Sequence, residues 1–507
     1  MSPSSVMIFV VLCYMAALLV LGWIASRMTK SPEDFFLAGR KLGAWVTAVS
    51  STASSESGWV TLGAVGMAYE GGVSACWFAP GCLCGYIVNL YFVAPKLRRD
   101  SAARGSLTLP DYLADRFSDP KNLLRIVAVI IIFLSLATYV AANMTALGKV
   151  TNALLELPEG WTLFAGPDID QDGFLNFHYG WGVFFGGIIV VIYSLMGGFR
   201  AVCWTDLLQG TIMVFALVLM PILVVMSVGG YGEMLHRLAH IDPHLATLSG
   251  GASGFALFGL VVGLFGIGLG YPGQPHVLTR YMAASGEKEM RRIQVIAMVW
   301  GVLVFYGACF LGLAARVLKP GLMPPEGDPE QVFPVLAEEM LHPLLAGIML
   351  AAVLSAIMST ISSQLLVAAS AVSRDLLEKV FRVATSGRAS VLAGRLAVLA
   401  LGLAAVLVAI GDIRQVFWFV LFAWSGLGAA FGPILLLALF TNVLTRNGAV
   451  AGMIVGFCVT IMWKVSHLSD SWNVYGLPDF GLYELVPAFF LAGAAALLVS
   501  AVGRKEA

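Results

Sequence analysis

Thirteen apolar runs recur along this chain, each close to the roughly 20 residues a helix needs to cross lipid. They cover about 5–26, 44–69, 73–95, 124–150, 179–197, 203–228, 253–275, 293–315, 341–372, 390–410, 416–440, 448–466 and 484–502. Lipid offers no partner to a bare amide or carbonyl, so such runs must fold as helices that satisfy their own backbone. With 59% hydrophobic and 12% charged residues and a mean hydropathy of +0.86, the sequence reads as an all-α polytopic membrane protein, not as a soluble domain on one anchor. The formal net charge is zero, which gives no case for nucleic acid as a partner.

Two of the runs are interrupted. Between Ser50 and Gly58, seven of nine residues are polar and Glu56 is a carboxylic acid, with apolar sequence on both sides. From Gly266 to Pro275, ten residues hold four glycines and two prolines, a composition that a continuous helix does not tolerate. Unwound backbone survives at membrane depth only against protein or a water-filled cavity, and interrupted helices of this kind build ion and solute sites in secondary transporters. The interruptions lie about 215 residues apart, a spacing that suggests corresponding positions in two halves of a duplicated bundle. A third stretch runs through Ala356, Ser359, Thr360 and Ser363, which share one helical face, with Ser362 beside Ser359. Hydroxyls on one face can ligate a hard cation, and they also serve as ordinary packing groups between membrane helices.

The connections alternate in charge. One alternate set, including 27–43, 96–125, 276–292 and 373–395, holds 24 of the 30 lysines and arginines. The positive-inside rule therefore places the N-terminus outside and the C-terminus in the cytoplasm of a multi-pass cell-membrane protein. The first run lacks a basic leader and a small-residue cleavage site, so it is expected to be a retained helix. Pro110, Asp111 and Tyr112 are expected to start a short surface helix. Residues 320–340 form an acidic, external connection. Asp168, Asp170, Asp172 and Gly173 match the first half of a calcium loop, but Tyr179 stands where the bidentate glutamate belongs, and an acidic turn is the expectation. The seven cysteines lie in or beside apolar runs without a paired zinc spacing and are read as packing residues.

Several motifs together resemble the sodium:solute symporter family, most nearly its sodium/proline symporters. They are Phe35-Phe36-Leu37-Ala38-Gly39-Arg40, Ala53-Ser54 with Ser57-Gly58-Trp59, and Gly197-Gly198-Phe199-Arg200-Ala201 with Trp204-Thr205-Asp206. Gly268-Leu269-Gly270-Tyr271 with Gly273-Gln274-Pro275-His276, and Met358-Ser359-Thr360 with Gln364-Leu365-Leu366, complete the set. The likeness runs from about residue 30 to about residue 450. It implies a five-plus-five inverted-repeat (LeuT-like) core with two broken helices. In this division, residues 1–43 are an extra helix and cytoplasmic loop, 44–228 and 253–440 are the repeats, and 441–507 are C-terminal helices.

The resemblance also implies sodium as coupling ion, with no other cofactor. A first sodium site falls to the main-chain carbonyls of Ala53, Glu56 and Ala356 and the hydroxyls of Ser359 and Thr360. A second, held in some relatives by an aspartate and three hydroxyls, would here use Asp206, Ser359, Ser362 and Ser363. Asp206 otherwise reads as a cap at the cytoplasmic end of a helix. The solute position implied lies between the breaks, at Ser55, Glu56, Ser57, Gly58, Ile267, Tyr271, Gln274 and Pro275. Half-helix starts suit the carboxylate of a zwitterion. Tyr271 is an aromatic wall or a packing residue.

Three positions depart from the sodium/proline pattern, among them Glu56 at a position that is usually apolar. Ser55 stands where those symporters carry aspartate, with Glu56 next to it, and Ile267 stands where they carry tryptophan. A mid-membrane carboxylate is a functional hypothesis by default. Glu56 could remain ionised beside sodium, hold a substrate amine, or stay protonated. Sodium-coupled uptake of proline or a related amino acid is the expected function. Another amino acid or a carboxylate, with sodium or protons as the driving ion, and a membrane solute sensor are the alternatives. No His-Glu-x-x-His pair or nucleophile–base pairing suggests an enzyme.

Overall fold

A computed structural model describes residues 2–29, 31–154, 177–323, 327–383, 387–409, 416–466 and 482–505. Every regular element among them is helical, as a lipid-embedded backbone requires. In chain order the elements used below are α1 (Pro3–Met28), α2 (Ala44–Ser55), α3 (Ala64–Gly71), α4 (Phe78–Ile87), α5 (Leu109–Arg116), α6 (Leu123–Leu154) and α7 (Phe177–Val228). They continue as α8 (Gly254–Gly266), α9 (Pro275–Ala283), α10 (Glu287–Leu318), α11 (Pro343–Ser370), α12 (Gly387–Ala409), α13 (Val416–Phe440), α14 (Arg446–Val465) and α15 (Leu485–Lys505).

Among the described residues, eleven helical segments are long and apolar enough to cross a membrane. Two of them, Trp59–Arg104 and Val183–Val228, have 46 residues each. At about 1.5 Å per residue, either would be about twice the roughly 30 Å hydrocarbon core. Each is divided by one glycine: Gly72 at φ 65°, ψ −149° and Gly198 at φ 59°, ψ −148°. An L side chain rarely adopts either conformation, and a Cβ would meet the Leu245 carbonyl oxygen at 2.3 Å or the Phe35 ring at 2.5 Å. Dividing both segments at these glycines gives the thirteen spans expected from the sequence.

The first interruption is narrower than its composition suggests. Residues 50–55 stay helical in α2, and the chain leaves the helix at Glu56 (φ −100°, ψ 81°). The polar run does not unwind because its hydroxyls turn back onto their own helix. Ser51 and Thr52 donate to the Ala48 carbonyl, Ser54 to Ser51 and Ser55 to Thr52. The second interruption is a tight helical turn, Ile267–Gly273, between α8 and α9.

The breaks lie inside the bundle. α2 packs on α7, α9, α10 and α11, while the second break packs on α4, α13 and α15. Every residue of α11 from Met349 to Ser370 is buried. The N-terminal helix is pinned to this core through Tyr14, whose hydroxyl accepts from Ser355 (2.9 Å) and from the Gln209 amide (3.0 Å).

The short helix α5 forms as expected, with the Thr108 hydroxyl capping the Asp111 amide, but it is not a surface helix. Asp111 and Tyr112 are buried, and Asp111 accepts from Arg125 at 2.8 Å. Arg125 also bonds Asp375 at 2.7 Å, so a buried ion cluster ties α5 to α6 and to the turn that prolongs α11. The calcium-like segment at 168–176 lies outside the described residues, as do 324–326 of the acidic connection.

Candidate functional site at the two helix breaks

A helix that stops in mid-membrane leaves its last carbonyls without intrahelical partners. In α2 these belong to Ala53, Ser54 and Ser55, and each is met by a side chain. The Ser359 hydroxyl donates to Ala53 at 2.8 Å, the Thr360 hydroxyl to Ser54 at 3.2 Å, and the Trp59 indole to Ser55 at 3.2 Å. Ser359 and Thr360 also reach the Ala356 carbonyl, at 3.1 and 3.2 Å. Carbonyls of Ala53 and Ala356 and two hydroxyls thus converge between α2 and α11. Glu56 leaves the helical ladder beside them. This neutral, oxygen-only cluster fits an alkali cation, which needs its hydration oxygens replaced.

The second break is satisfied in the same way. The Trp424 indole donates to Ile267 at 3.1 Å, Asn89 to Tyr271 at 3.2 Å, and the Gln274 amide to Gly270 at 3.3 Å and to Trp424 at 2.9 Å. Close approach depends on missing side chains. A Cβ on Gly270 would lie 1.9 Å from the Trp424 indole nitrogen, and one on Gly268 would lie 2.0 Å from the Gly81 carbonyl oxygen.

Glu56 joins the two breaks. Its Oε1 accepts from the Tyr271 hydroxyl at 2.7 Å and from Ser55 and Tyr86 at 3.0 Å. Its Oε2 is buried without a hydrogen-bond partner. Three donors on one oxygen stabilise a carboxylate and leave the other oxygen to receive a further donor. Tyr271 stands edge-on between Tyr86 (4.8 Å between centroids, 89°) and Trp424 (4.9 Å, 80°). Its ring therefore packs between two aromatic side chains while its hydroxyl holds Glu56.

Ser55, Glu56, Ser57, Tyr271 and Gln274 are each no more than 1% exposed, so none of them faces solvent. Ser57 accepts from the Trp59 amide at 3.3 Å, and Gly58 abuts Ile357 of α11. Ile267 is buried and offers its carbonyl to the Trp424 indole, and Trp424 of α13 stands beside Tyr271. Pro275 opens α9 and borders a narrow cavity with Thr279, Phe36, Thr108 and Leu366, on the α5 side of the bundle.

The second ion set is arranged differently. Ser359 faces Ala53, and Ser362 donates to the Ser359 carbonyl at 3.0 Å. Asp206 bonds Ser50 at 2.6 Å and Arg280 at 3.0 Å, and Arg280 bonds Ser363. Asp206 is therefore no helix cap, because it lies inside α7 and fully buried. Sequence reasoning missed Arg280, which it counted among connection charges. It also missed Tyr86 and Trp424, although a phenol or indole in an apolar run signals a buried partner.

The protein matches the family model described as "Sodium:solute symporter family" over residues 35–456. It is 35% identical over 495 residues to the osmoregulated proline transporter of Bacillus subtilis (strain 168), covering 97% of this chain and 94% of that one. It is 35% identical over 509 residues to the sodium/proline symporter of Escherichia coli (strain K12), covering 99% and 94%. In three dimensions it is similar to a Na+-coupled sialic acid symporter solved in a substrate-bound, outward-open state, with a TM-score of 0.76 over 98% of both chains. At 20% identity, that likeness carries the fold alone. Family model, relatives of nearly full length and shared fold agree: this chain belongs to the sodium:solute symporter family.

Proposed function

We propose that this protein couples inward sodium flow to the uptake of proline or a closely similar amino acid. The observation that carries this reading is the junction at Glu56. The ion-type oxygens of Ala53, Ala356, Ser359 and Thr360 lie on one side of it, and the carboxylate and aromatic edges of the second break lie on the other. The names of the relatives, proline transporters and sodium/proline symporters, supply the solute.

In this reading, Ser359 and Thr360 rotate their hydroxyl hydrogens off the carbonyls, so that all the oxygens face sodium. The main-chain carbonyl of Glu56 completes the set. Fixing α2 against α11 fixes the backbone of Glu56 and hence its side chain. Oε2 receives the ammonium of the solute, whose carboxylate faces the backbone amides at Ser57–Trp59, where a new half-helix begins. Ile267, Tyr271 and Gln274 shape the apolar side, and Pro275 leads toward the cytoplasm.

Sodium therefore favours the solute-binding arrangement, and solute favours sodium equally, as linkage requires. At about −100 mV one charge contributes about 2.3 kcal/mol. A tenfold sodium gradient adds about 1.4 kcal/mol, which together support several-hundred-fold accumulation per sodium. The same reading places the N-terminus outside and treats 44–228 and 253–440 as the two repeats. Labelled proline taken up by proteoliposomes under an imposed sodium gradient, with other amino acids as competitors, tests it. Uptake that ignores the gradient would refute it.

A second reading has one observation behind it, the unpartnered Oε2 of Glu56, which could carry a proton as coupling ion. Uptake in sodium-free buffer under a pH gradient separates the two.

A further inference from the structure

We propose that Arg280 is a built-in cation in the Asp206 pocket, standing where a second sodium would sit, so that transport couples to one sodium per solute. The proposal rests on sodium-coupled uptake and adds its stoichiometry. The guanidinium and the Asp206 carboxylate are both 0% exposed and lie 3.0 Å apart. Each nitrogen of the guanidinium has an acceptor. Its Nε donates to Ser50 at 3.0 Å and one terminal nitrogen to the His276 carbonyl at 2.5 Å. The other terminal nitrogen bonds both Asp206 and the Ser363 hydroxyl. The ring of Phe199 lies 5.2 Å beneath.

Asp206 and Ser363 are two of the oxygens a second sodium would need, and a single nitrogen of Arg280 already serves both. Ser50, the remaining partner of Asp206, accepts from the same guanidinium while donating to the carboxylate. One buried carboxylate balances one buried cation, and a sodium added to this pair would leave a net positive charge without a counter-ion. A guanidinium also has a fixed fork of donors that suits several acceptors at once, so it displaces a monovalent ion whose oxygens must be gathered. The four groups come from α2, α7, α9 and α11, so Arg280 ties the half-helix that follows the second break to three other helices.

The test is the charge moved per solute in proteoliposomes. Proline is a neutral zwitterion at pH 7, so the ratio counts sodium directly. Wild-type protein should give a ratio of one and a sodium Hill coefficient near one. Arg280→Gln leaves Asp206 uncompensated, so it should recruit a second sodium and raise both values toward two. The double variant Asp206→Asn with Arg280→Gln removes both charges, should fold where the single variant does not, and should return both values to one. A wild-type ratio of two overturns the proposal, as does an Arg280→Gln protein that transports with unchanged sodium dependence. Complete absence of sodium-driven uptake by wild type removes the functional reading itself, which is a separate result.

Discussion

Glu56 gathers three hydroxyl donors on one oxygen and presents the other, and in the proposed function its charge and its shape are both in use. Glu56→Gln keeps the shape and removes the charge. A hydrogen bond to a charged group is worth about 1.5–3 kcal/mol, so proline affinity should fall roughly 10- to 100-fold in an equilibrium titration, with the melting temperature held. The proposed function gives Thr360 a different role, because its hydroxyl lies among the carbonyls at the end of α2. Thr360→Ala should raise the sodium concentration for half-maximal uptake severalfold, and Thr360→Ser should restore it. These residues were legible in the sequence for one reason: a polar group in an apolar run is costly unless it has work or a partner. Arg280, Tyr86 and Trp424 were not legible, because their importance comes from partners 74, 30 and 157 positions away.

The element scale explains why two helices can stop inside a membrane. Each open carbonyl is met by a side chain from another helix, and each close approach needs a glycine. The second break is the tighter case. Gly270→Ala would push a methyl group onto the Trp424 indole, which accepts no shift without losing its bond to Ile267. Overpacking of this kind costs about 1–3 kcal/mol or more, and the purified variant should show a lowered melting temperature and lost uptake together. Both breaks were legible from composition, through polar residues in one and glycine with proline in the other. Their widths were not: hydroxyls that satisfy their own helix keep residues 50–55 wound, and only the fold shows which way those hydroxyls turn.

At the scale of the whole molecule, hydrophobic run length gave the thirteen spans, since lipid thickness fixes how long a run must be. The two reversals at Gly72 and Gly198 required the backbone angles. Charge asymmetry between the connections gives an orientation that a reporter can check: a fluorescent protein fused after Ala507 should glow on the cytoplasmic side, while an alkaline phosphatase fused there should stay inactive. The central claim is that sodium and solute meet at one junction and strengthen each other. Proline binding to the purified protein, titrated with and without sodium at constant ionic strength, measures this directly. The account predicts a proline dissociation constant that falls at least tenfold with sodium, and an equal tightening of sodium by proline. A proline affinity indifferent to sodium would contradict it.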